Sequence, residues 1–190
     1  MKEIIQMIVV LSVISTVCGL ALSGVRNMTA ERIENQVLMN VQGPKVKIVL
    51  DGADNDLIAD RKKIKINEEE ILLFIGKKHD KPWAIAYESI GGGFGGDLKV
   101  MVGYDLQKNK LTGVQIIDHK ETPGVGSRVT EDQFTKQFKG LDININFATQ
   151  KDGGKIDGIT GATYSSRGVS EAIKKSIELL PEIKKVIQKQ

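Results

Sequence analysis

From Ile4 to Val25 the sequence runs 22 residues without a charged side chain, IIQMIVVLSVISTVCGLALSGV. As a helix this stretch is roughly 33 Å long, enough to cross a hydrocarbon core of about 30 Å. Three readings compete: a retained anchor, a cleaved signal and a buried core helix. The run exceeds the ~7–15 apolar residues of a signal-peptide core, which favours the anchor, although Ala21 and Ser23 imitate a small-residue cleavage site. Cys18 follows Val17, where a lipoprotein signal wants a small residue, so it is read as a packed apolar thiol. Lys2 precedes the run and Arg26 and Arg32 follow it, so basic residues do not orient the span.

Composition removes several functions. Lys and Arg total 27 against 24 Asp and Glu, a net charge of +3. That leaves no local basic excess to track phosphates, and no nucleic-acid partner is expected. One cysteine excludes an intramolecular disulfide and a thiolate cluster made by this chain alone, and two histidines exclude a histidine-rich zinc site. The chemistry is either simple acid–base work or belongs to a bound cofactor.

Beyond the anchor, Ile33, Val37, Leu38 and Val41 keep a helical period that extends the helix as a stalk. Gly43-Pro44 ends it, and a short helix through Val46, Val49 and Leu50 stops at Gly52. The pattern then changes to strands over Lys63–Ile66, Ile71–Ile75, Trp83–Ile90, Leu98–Tyr104 and Leu111–Ile117. Leu98, Val100 and Val102 alternate with Lys99, Met101 and Gly103, as in a sheet with one face on the core. Asp105–Lys110 reads as a hairpin turn, Thr130–Gln133 as a capping box opening a helix through Phe134 and Phe138, and Ile143–Phe147 as a further strand. An amphipathic helix over 165–180 follows, with a second short one from Pro181. The expected fold is α+β: one transmembrane helix, then a domain with a mainly antiparallel sheet and flanking helices.

Three glycine-rich loops interrupt this pattern. Gly91–Asp97 (GGGFGGD) is either an irregular connection or a loop laid against a planar ligand, with Phe94 as a stacking group. His119–Arg128 (HKETPGVGSR) turns at Pro123-Gly124; His119 has no catalytic partner in sequence, and Glu121 either accepts a hydrogen bond from a ligand or faces solvent. Asp157–Ser166 (DGITGATYSS) precedes the closing helix, where Thr163 and Ser165 serve either as helix caps or beside a phosphate at the helix N-terminus.

The run Asp157-x-x-Thr160-Gly161-Ala162-Thr163-x-Ser165 resembles the flavinylation motif of the FMN-binding domain family. Glu121-Thr122-Pro123-Gly124-Val125-Gly126 resembles that family's Glu-Thr-Pro-Gly-Leu-Gly stretch, and Gly93-Phe94-Gly95-Gly96 its Gly-Tyr-Gly-Gly loop. With the anchor, the whole chain resembles the G subunits of Rnf complexes; the related C subunits of sodium-pumping NADH:quinone reductases are usually longer. The resemblance implies covalent FMN, esterified through its phosphate to Thr163 by a flavin transferase, with Asp157, Thr160, Gly161, Ala162, Ser165, Glu121, Thr122, Pro123, Gly124, Gly95 and Gly96 around it. It implies an electron carrier in a complex coupling ferredoxin:NAD⁺ oxidoreduction to Na⁺ or H⁺ translocation, partnered by the integral membrane subunits A, D and E. It also implies an inner-membrane, single-pass protein: residues 1–3 cytoplasmic, 4–25 spanning, 26–60 stalk and connector, 61–190 the extracytoplasmic FMN-binding domain. Two other classes stay open, an anchored non-redox binding or assembly module and a secreted flavoprotein.

Overall fold

An uncharged run rich in Ile, Val and Leu has few ways to satisfy its backbone except by hydrogen-bonding within itself. In a computed structural model, which describes residues 1–66 and 69–188, it is helical throughout: α1 covers Lys2–Val37 and none of its residues is buried by the chain. Its apolar side chains, Cys18 among them, all face outward, so the packed thiol expected at Cys18 finds no packing within this chain. Its uncharged stretch is long and apolar enough to cross a membrane.

Gly43-Pro44 does not terminate the helical path. A π-helical turn over Leu38–Gln42 leads directly into α2, Gly43–Val49, with Pro44 in its first turn, where a missing N–H costs nothing.

The compact unit comprises Val41–Gln190. Five strands, β1 (Lys62–Ile66), β2 (Glu69–Lys78), β3 (Lys81–Gly92), β4 (Asp97–Asp105) and β5 (Lys110–Asp118), form one sheet in sequence order, each antiparallel to the next. All five expected strands are present, each extended at one or both ends. Asp105 shapes the β4–β5 turn by accepting the N–H groups of Gln107 and Lys108, both at 2.9 Å. The expectation of one buried face fails at β4, where Met101 and Val102 are both fully buried. Leu98, Val100, Val102 and Tyr104 belong to the main core, which faces helix α4 (Thr163–Gln188). The opposite face is covered by α2, whose Val49 lies over the paired Gly103 and Gly113.

Helix α4 is continuous through Pro181, not two helices. Pro181 removes one backbone hydrogen bond, a loss of about 3 kcal/mol in an isolated helix. Leu180 and Ile183 are buried on either side of it, and that packing keeps the helix intact. Tyr87 and Tyr104 stack at 5.5 Å beneath the helix; Tyr87 donates to the Ser176 carbonyl at 2.6 Å and Tyr104 meets the Ser176 hydroxyl. Burial pushes both phenols well above their usual range, so they remain neutral donors.

Two further expectations change. Thr130 makes no capping box: its hydroxyl donates back to the Ser127 carbonyl at 2.8 Å, and the helix beyond is the single turn α3, Asp132–Thr135, continued by a 3₁₀ turn to Phe138. Ile143–Phe147 is no strand. Asp142 and Asn146 accept the N–H groups of Asn144 and Ala148, at 2.8 and 3.0 Å, and these local turns replace a ladder.

Gly91 is where α4 meets the sheet. A Cβ there would lie 1.9 Å from the carbonyl oxygen of Gly168, a backbone-on-backbone clash that no rotamer relieves. Gly91→Ala is expected to cost about 3 kcal/mol, read as a lowered urea midpoint with unchanged slope.

Candidate functional site

The meander decides where the three loops go. Antiparallel pairing sets Lys99 of β4 opposite Asp118 of β5, so the chain leaves β5 beside the β3–β4 hairpin. The start of α4 docks there too: Gly92 N–H donates to Glu171 Oε2 at 3.1 Å.

Glu121 joins all three loops. It is 5% exposed. Its Oε1 accepts the Gly95 N–H at 2.9 Å, and its Oε2 accepts the Ser165 hydroxyl. Its own N–H donates to His119 Nδ1 at 3.2 Å, which gives His119 a positioning contact. Glycine is required on both sides of the carboxylate: a Cβ at Gly93 would sit 2.2 Å from Oε1, and one at Gly126 would sit 2.4 Å from Oε2. The first glycine loop therefore owes its composition to close approach by protein. Phe94, at its tip, is 74% exposed.

Above Glu121 opens a cleft of about 210 Å³. Of the residues singled out from sequence, Phe94, Glu121, Thr122, Val125, Gly126, Gly161, Ala162, Thr163 and Ser165 line it. Gly95 does not line it but binds Glu121 beneath through its amide, and Gly96 (φ +140) closes the hairpin loop by accepting the Gly93 N–H at 2.8 Å. Pro123 and Gly124 lie on the exposed turn beyond. Asp157 and Thr160 line a neighbouring groove of about 300 Å³. There the Gln137 amide grips the Asp157 backbone, accepting its N–H at 2.8 Å and donating to its carbonyl at 3.2 Å.

Thr163 is half-buried and is the first residue of α4, not its cap; Ala162, which has no side-chain acceptor, precedes it. The hydroxyls around it are otherwise engaged. Ser165 donates to Glu121, while Ser166 donates to the Ala162 carbonyl and accepts the Ile159 N–H, both at 3.0 Å. The helix-cap reading of Thr163 and Ser165 therefore fails on position. The first-turn N–H groups of α4 have no partner within the helix, and with its dipole they favour an anion there.

Sequence reasoning missed the flank of this cleft. Tyr164, at the variable position of the motif, is 63% exposed, with its ring 6.1 Å from that of Phe94. Arg167, one turn further, places its guanidinium 5.9 Å from the Tyr164 ring centre. It is held by Asp152 through Nε at 2.8 Å and Nη2 at 2.6 Å, and Thr149 donates to the same carboxylate at 2.6 Å. These contacts, the Arg167 bonds foremost, bring the Asp152 carboxyl down to about 2. A carboxyl lowered by folding stabilises the fold above the ordinary range near 3.9 and loses that contribution only as pH falls toward its folded value. A carboxyl ¹³C titration should place the Asp152 midpoint near 2, rising toward the ordinary range in Arg167→Ala while the Thr149 bond still holds it below.

Residues 93–178 match the FMN-binding domain family. Over nearly its full length the chain is similar to the G subunit of the ion-translocating oxidoreductase complex of Shewanella loihica, 28% identical over 190 residues, covering 93% of this chain and 89% of that one. The corresponding Erwinia tasmaniensis protein is 34% identical over 119 residues, covering 57% of this chain and 56% of its own. The fold is shared with the crystal structure of the C subunit of Na⁺-translocating NADH-quinone reductase from Parabacteroides distasonis, at a TM-score of 0.55 and 19% identity, covering 73% of this chain and 90% of that one.

Proposed function

We propose that this chain is the FMN-carrying, membrane-anchored electron-transfer subunit of an ion-translocating oxidoreductase complex of the ferredoxin:NAD⁺ type, with the FMN phosphate esterified to Thr163 Oγ1. The observation that carries the attachment is the position of Thr163. It lines a cleft from the first turn of a helix, within the Asp157–Ser165 motif, and has no duty as a cap. The residues present fit the group. The first-turn amides of α4 would hold the phosphate, and Gly161, at φ +86, makes the tight turn that leads with Ala162 into Thr163 along the cleft. A cleft of about 210 Å³ is smaller than the ~300–1,000 Å³ of sites that bind a free ligand. A tethered cofactor needs little equilibrium affinity, and its exposed edge remains available for electron exchange.

The flavin supplies the redox chemistry when bound. The protein binds the phosphate at the start of α4, sets the loop geometry through Glu121, and presents the cleft to its partners. In this reading residues 1–3 are cytoplasmic, 4–25 cross the inner membrane, 26–60 form the stalk and connector, and 61–190 form the extracytoplasmic domain. The partners are the integral membrane subunits A, D and E, with a flavin transferase for maturation. As one stage of a relay, the isolated protein should show little oxidoreductase activity.

The test is the intact mass of protein extracted from its native membrane, where transferase and export are present. The expected mass is the polypeptide, residues 1–25 retained, plus one FMN less one water. The bare polypeptide mass would overturn the attachment. The alternative of a non-redox binding module made Thr163 a plain helix cap, and the register of α4 removes that role.

A further inference from the structure

We infer that Phe94 and Tyr164 form an aromatic clamp that holds the isoalloxazine ring beside the cleft, a proposal resting on the reading that Thr163 carries FMN. Both rings line the cleft that contains Thr163, and both are largely exposed, 74% for Phe94 and 63% for Tyr164. Their centroids are 6.1 Å apart and their planes are inclined at 51°, so together they present an apolar corner and not a closed stack. Such a corner suits a planar aromatic group that packs on one ring and meets the edge of the other.

Both rings are mounted on fixed supports. Phe94 sits between Gly93 and Gly95, which close approach pins against Glu121 and the Lys120 carbonyl. Tyr164 is backed by the Arg167 guanidinium, itself locked by two bonds to Asp152. Tyr164 also directly follows Thr163, so a group tethered there is delivered to this ring.

A protein partner is the weaker occupant. With Val125, at 47% exposed, the patch is only three apolar side chains. A stable protein interface needs about 800 Å² on each side. Continuity with the Thr163 cleft points to the cofactor instead.

The experiment uses the flavinylated, membrane-extracted protein and compares Phe94→Ala, Tyr164→Ala and Phe94→Tyr. Intact mass first establishes flavin loading in each. The readouts are visible-region circular dichroism of the flavin, its fluorescence yield and its quenching by iodide. Either alanine variant should weaken the visible dichroism and raise fluorescence and iodide quenching several-fold, while Phe94→Tyr stays near the unsubstituted protein. Phe94→Ala lies outside the attachment motif, so it carries the test even where Tyr164→Ala lowers loading. A loaded Phe94→Ala protein with unchanged flavin spectra overturns the clamp, and lost co-purification of the membrane subunits in that variant assigns the patch to a partner. Absence of flavin mass in the unsubstituted protein instead overturns the attachment beneath it.

Discussion

Thr163→Val is expected to abolish the proposed covalent flavin and to leave the domain folded. Valine keeps the β-branched shape and removes only the hydroxyl, the one atom that can form the ester. Thr163 occupies the first helical position and caps nothing, so no backbone N–H loses a side-chain acceptor. The stability change should stay within about 0.5 kcal/mol, as at sites without a special structural role. Flavin fluorescence in a denaturing gel should fall from one equivalent to background, and the intact mass should drop to that of the polypeptide. Persistent fluorescence would move the attachment elsewhere. Thr163→Ser is less informative, because a serine hydroxyl offers the same nucleophile.

Glu121→Ala has a large expected effect on the site and on stability. It removes the acceptor of two donors at once, the Gly95 N–H and the Ser165 hydroxyl. A buried donor left without a partner costs about 1–3 kcal/mol; Ser165 is buried while the exposed Gly95 amide can turn to water, so the loss should be about 2 kcal/mol. The loops cannot collapse into the gap easily, since Gly93 and Gly126 already pack their backbones against the carboxylate. Urea unfolding should register the loss, hydrogen exchange at the Gly95 amide should accelerate, and flavin loading should fall. Glu121→Gln keeps an acceptor for Gly95 and should recover most of the stability, which separates geometry from charge. A Glu121→Ala midpoint equal to that of the unsubstituted protein would remove the latch from the account.

The sheet was readable because alternation is a local signal: Leu98, Val100 and Val102 announce their shared face without help from elsewhere. What covers the other face is not local. Met101 is buried because α2 lies across Gly103 and Gly113, a contact between segments more than fifty residues apart in sequence. Ile143–Phe147 has strand composition, yet Asp142 and Asn146 offer its backbone nearer partners. Pro181 carried a real stop signal, and the buried Leu180 and Ile183 outweighed it. The site divides in the same way. The Asp157–Ser165 motif and the Glu121 loop are visible as strings of residues. The bonds from Glu121 to Gly95 and Ser165, and the pairing of Arg167 with Asp152, exist only once the chain has folded.

Since every strand pairs with its immediate neighbour in sequence, the meander can assemble progressively as it leaves the ribosome, without waiting for distant segments. The floor beneath Thr163 cannot, because Ser165 reaches Glu121 only after the helix synthesised downstream has docked. A modifying enzyme that recognised the finished pocket would therefore act on matured polypeptide, and nascent chains would escape premature labelling.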